Sequence, residues 1–61
     1  MKTIFMDNCP RKRKPIKIIN EFVKIDVGHR ILSKNGDYRI TNYQFDIDEE
    51  TLIIHCEKII E

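Results

Sequence analysis

Asn35-Gly36 constrains this chain more than any other pair of residues in it. Both residue types tolerate the positive φ angles that a two-residue primed turn demands, and such turns join antiparallel strands. Strand-like stretches flank the pair, His29 to Ser33 before it and Asp37 to Phe45 after it. The expectation is a β-hairpin. Its second strand begins with Tyr38 and Ile40 on one face and continues with Tyr43, Phe45 and Ile47, so the apolar phase slips by one residue. A β-bulge near Thr41-Asn42 absorbs that slip and bends the strand. Bent strands are what let a small sheet curl.

The acidic run from Asp46 to Glu50 turns the chain again. Thr51 to Ile60 then reads as a strand, with Leu52, Ile54 and Cys56 on one face and Ile53, His55 and Glu57 on the other. Thr3 to Met6 gives a further strand, expected to cover an edge. Residues 15–27 admit two patterns. As a helix, Pro15 takes a favourable first position and Gly28 follows the end, with Ile16, Ile18, Ile19, Phe22, Val23, Ile25 and Val27 on one broad face. Against this, six of the thirteen residues are Ile or Val, whose branched side chains favour strands. The strand is preferred, with a helix over residues 15–26 as the open alternative.

A chain of 61 residues makes one domain, residues 1–61. A core this small is marginal and commonly needs a staple. Cys9 and Cys56 allow one bridge at most, which is no disulfide framework. No apolar run reaches membrane-spanning length, and no signal-peptide pattern is seen. The expectation is a reduced, cytoplasmic protein, away from membranes, stapled by self-association as a homodimer.

Charge is divided along the chain. Residues 1–34 carry nine Lys or Arg against three acids, and residues 35–61 carry two against seven. A fold can preserve that split or interleave it. Within the basic half, Arg11-Lys12-Arg13-Lys14 lies between Pro10 and Pro15. Prolines restrict themselves and the residue before them, so positions 9–15 read as an extended, exposed basic loop.

Residues 27–59, "VGHRILSKNGDYRITNYQFDIDEETLIIHCEKI", resemble the hairpin pair of small SH3-like β-barrels. They share a Val-Gly entry, an apolar strand, a turn with Gly, a Tyr-x-Ile strand and a closing strand of alternating aliphatics. The stretch is also similar to short proteins of bacterial viruses that use such folds. The resemblance implies a five-stranded barrel with a binding role. Some small viral proteins of this size block a host enzyme or defence protein, and others bind nucleic acid.

Candidate chemistry is sparse. His55 and Cys56 are adjacent, so a strand points them to opposite faces, and Cys9 and His29 stand apart, which does not suit a structural zinc site. Asp46, Asp48 and Glu50 follow the spacing of a calcium loop, but Thr51 stands where that loop needs glycine. Ser33 has no recognisable base partner. No catalytic residue, metal or cofactor is expected.

The fold class expected is therefore all-β and mostly antiparallel, a small SH3-like barrel or curled β-meander. The function expected is non-enzymatic: a binding or inhibitory protein of a phage that docks on a host or defence protein in the bacterial cytoplasm. The residues expected to carry binding are Arg11, Lys12, Arg13, Lys14, Lys17, Arg30, Arg39 and Tyr43. The basic loop Arg11 to Lys14, with Tyr38, Tyr43 and Phe45 for base stacking, also makes a DNA- or RNA-binding barrel. A third reading is an oligomer that sequesters a nucleotide, with Arg30 and Arg39 as the clamp.

Overall fold

The computed structural model describes residues 1–9, 12–34 and 36–59. Among them are five strands and no helix: β1 (Lys2–Cys9), β2 (Lys12–Ile19), β3 (Arg30–Ser33), β4 (Gly36–Asp46) and β5 (Thr51–Lys58). They form one curled sheet in the order β2-β1-β5-β4-β3. Three of the four pairings are antiparallel, and β1 with β5 is parallel.

The bend expected in β4 is present. Its pairing with β5 passes from Ile40–Cys56 to Asn42–His55, leaving Thr41 as the extra residue. Tyr38 and Ile40 before the bulge, and Tyr43 and Phe45 after it, consequently share the concave face. The hairpin joining β3 to β4 is also present, but Ser33 pairs with Gly36, so the turn centre sits one residue earlier than expected. Gly36 takes a φ of 129°, and Asn35 lies outside the described residues.

Three expectations are corrected. β1 covers no edge; it lies inside the sheet, between β2 and β5. Its parallel partner is remote in sequence, so no local turn signal announces the pairing. Residues 15–26 are neither a helix nor a full strand. The strand ends at Ile19, and residues 20–29 form an irregular segment over the concave face. Finally, most of the basic loop expected at 9–15 is strand, with Pro10 and Arg11 outside the described residues. Cys9 ends β1, and Lys12, Arg13 and Lys14 open β2, in register with Cys9, Asn8 and Asp7. Pro15 fits because β2 is an edge strand and the register shifts there, from Met6–Pro15 to Phe5–Lys17, leaving Ile16 unpaired with β1. An edge and a bulge are the places where a sheet tolerates proline.

Phe5, Tyr38, Ile40, Ile54 and Cys56 form the buried core. Thr3, fully buried, ties the crossing segment onto it. Its hydroxyl donates to the Glu21 carbonyl (2.7 Å) and accepts from the Val23 amide (3.2 Å). Val23 and Ile25 thus pack on the core without joining the ladder. The crossing ends where the Gly28 amide donates to the Ile40 carbonyl (2.8 Å). No helix among the described residues is long and apolar enough to cross a membrane.

Candidate functional site: a groove between two strand edges

Curling brings the two outermost strands to opposite walls of one groove. Phe5 forms its floor, Ile16, Lys17 and Ile19 of β2 one wall, and Ile31 to Lys34 the other. The volume is about 530 Å³, within the range of about 300–1,000 Å³ usual for ligand pockets. The lining is mainly apolar, and the exposed residues Lys17 and Lys34 bring a cation to each wall. Neither β2 nor β3 has a second strand neighbour in the sheet. An open strand edge is a template for pairing with another chain.

The registers settle how charge is distributed. Cys9–Lys12, Ser33–Gly36 and Tyr38–Lys58 are pairs toward one end of the sheet; Ile19–Thr3, Lys2–Thr51 and Asp46–Thr51 are at the other. Lys12, Arg13, Lys14, Lys34 and Lys58 therefore gather toward the first end. Asp46, Asp48, Glu49 and Glu50 lie at the second. The fold thus partly interleaves the division seen in the sequence, with Asp7, Asp37 and Glu57 also toward the first end and Lys2 at the second, yet it leaves two poles.

The acidic pole has a defined shape. The Asp46 carboxylate oxygen Oδ1 accepts from the amides of Asp48 (3.1 Å) and Glu49 (3.2 Å), and Glu50 takes a φ of 49°. This turn holds Ile47 outward, 75% exposed. Beside it, Phe22 packs edge-on against Phe45, ring centroids 5.6 Å apart.

The residues singled out in the sequence fall into three places. Lys12, Arg13 and Lys14 lie in β2 near the groove, and Lys17 lines it. Arg11 is outside the described residues. Arg30 and Arg39 are cross-strand neighbours away from the groove. There Arg30 donates to the Asp37 carboxylate and Arg39 lies in register with Glu57. The protein thus supplies its own carboxylates around the pair. Tyr43 is half-exposed opposite Ile54, in the part of β4 that leads to the acidic turn. Tyr38 is buried in the core. The exposed rings Tyr43 and Phe45 therefore stand away from the cluster of cations. Sequence reasoning missed Phe5, Ile16, Ile19 and Ile31 as a site. Their β-branched and aromatic character reads as core, and only the unclosed curl turns them into groove walls.

The titratable groups in the interior are quiet. Burial first, and then the Asp7 carboxylate, push the Cys56 thiol from 9.0 up to about 11. Tyr38, whose hydroxyl donates to Asp7 Oδ2 (3.5 Å), is likewise raised, chiefly by burial. On the outer face, the His55 ring hydrogen-bonds with the side-chain amides of Asn8 (3.2 Å) and Gln44 (2.9 Å). Among the described residues no three His, Cys, Asp or Glu gather where they could hold a metal.

No family model, curated protein or solved structure matches this chain.

Proposed function

We propose that this chain is a non-enzymatic binding protein that docks its groove and basic pole on an acidic, partly apolar segment of another protein. The observation that carries this reading is the groove between β2 and β3, apolar within and bordered by Lys17 and Lys34. Apolar centres with charged rims are the usual anatomy of recognition surfaces, and an extended peptide can add to an open strand edge. Lys14, exposed on β2, extends the cationic border. The resemblance of residues 27–59 to small barrels of bacterial viruses supports a role as an inhibitor of a host or defence protein, in the cytoplasm of the bacterial host.

The test is capture from nuclease-treated bacterial lysate by three forms of the protein. Wild type and Glu57→Gln, changed away from the groove, are expected to retain the same protein. Ile31→Glu, which places a carboxylate in the groove wall, is expected to lose it while keeping its β-sheet circular dichroism. Equal capture by the folded Ile31→Glu variant overturns the reading. Loss of all captured material on nuclease treatment instead favours nucleic acid.

A further inference from the structure

The groove and the acidic turn are complementary in polarity and charge. One is an apolar cleft with a lysine on each wall. The other is an exposed isoleucine set among Asp46, Asp48, Glu49 and Glu50. Within one molecule they do not meet. Ile47 is not part of the groove lining and stays 75% exposed on the turn between β4 and β5. A second molecule can bring them together.

We propose that the acidic turn of one copy seats Ile47 in the groove of a second copy, with Lys17 and Lys34 against the carboxylates beside it. Two copies lying antiparallel place each acidic pole on the other's basic pole. Both contacts then form at once and the assembly closes as a two-fold dimer. The turn is already held by its Asp46 hydrogen bonds, so little ordering opposes docking. The poles also steer the approach, since opposite fields raise the rate of encounter. This inference rests on the groove being a recognition surface, and adds that the chain carries a segment with the chemistry of its own partner.

Sedimentation equilibrium of the purified protein tests it. Wild type is expected to dimerise at micromolar to hundred-micromolar concentration, and to weaken as salt screens the poles. Ile47→Ser removes an exposed side chain that the fold does not use, and should weaken the dimer about tenfold or more. The double reversal Lys17→Glu with Lys34→Glu should do the same. Mixing the two variants is the decisive arm. A mixed pair keeps one contact intact and puts both defects in the other, where losses at neighbouring groups do not add, so the mixture should associate more tightly than either variant alone though less than wild type. A wild type that stays monomeric, a dimer that ignores both variants, or a mixture no tighter than either variant alone overturns the proposal. Lysate capture by monomeric Ile47→Ser separates this inference from the one above, because that variant keeps its groove.

Discussion

Thr3 and Val23 are joined by a hydrogen bond in which a buried hydroxyl accepts a main-chain amide, 3.2 Å apart. The same hydroxyl donates to the Glu21 carbonyl, so one side chain satisfies two main-chain groups of the crossing segment. Thr3→Val keeps the shape and removes both bonds. Stability should fall by about 1–3 kcal/mol, the usual cost of leaving a buried polar group unpaired. Chemical denaturation measures it, and amide exchange at Val23 should quicken. A loss below about 0.5 kcal/mol would mean that water takes the place of the hydroxyl.

Gly36 is constrained twice. Its φ of 129° disfavours any side chain, and a Cβ there would lie 2.9 Å from Lys58 Cε. Gly36→Val should cost about 1 kcal/mol or more. Shortening Lys58 to Ala in the same chain relieves the contact but not the backbone angle, so most of the loss should remain. Full rescue in the double variant would make crowding, rather than backbone strain, the cause.

Stability should decline in alkali. The unfolded thiol of Cys56 ionises near 9.0, whereas the folded one holds its proton to about 11. Between those values the unfolded chain binds fewer protons than the folded one, so rising pH favours unfolding. Tyr38 adds in the same direction, because its folded value is also raised. Melting temperature measured from pH 8 to pH 11 should fall, and Cys56→Ala should flatten the slope while lowering stability at neutral pH. A parent protein whose melt is constant across that range would contradict the burial of Cys56.

The basic stretch separates protein from nucleic-acid binding. With Arg11, Lys12, Arg13 and Lys14 all replaced by Ser, each change should alter stability by only about ±0.5 kcal/mol, so the fold should persist. If the wild type contacts four phosphates, its affinity should fall with salt at a logarithmic slope of roughly −3 to −4. Docking on a protein through an apolar groove should give a shallower slope. Fluorescence titration at several salt concentrations distinguishes them. A steep slope that vanishes in the Ser variant would assign the basic pole to nucleic acid.

Local rules made parts of this fold legible. The slip between Ile40 and Tyr43 marked the bulge at Thr41 because period-two alternation admits no other regular explanation. The hairpin at residues 33–36 followed from glycine. Where contacts are remote, the sequence was mute. Ile16 to Val27 is apolar enough for either regular element, yet its middle is held by Thr3 and by packing of Val23 and Ile25 on the core, which no periodicity encodes. The basic residues looked like a loop because two prolines bound them. Pro15 instead occupies a bulge on an edge, a place that exists only once β2 has paired with β1. The groove was hidden for the same reason: its walls come from strands at the two ends of the sheet order.

The parallel pairing of β1 with β5 dictates when the sheet can be completed. Lys2 aligns with Thr51 and Asp7 with Cys56, so β1 waits for β5 before it gains its second neighbour. Until then only the two local hairpin pairings, β1 with β2 and β3 with β4, can form, and hairpins alone are marginal in water. Phe5 and the Ile16–Ile19 run stay uncovered over that interval. Completing the sheet requires a long loop to close, a slow step in folding.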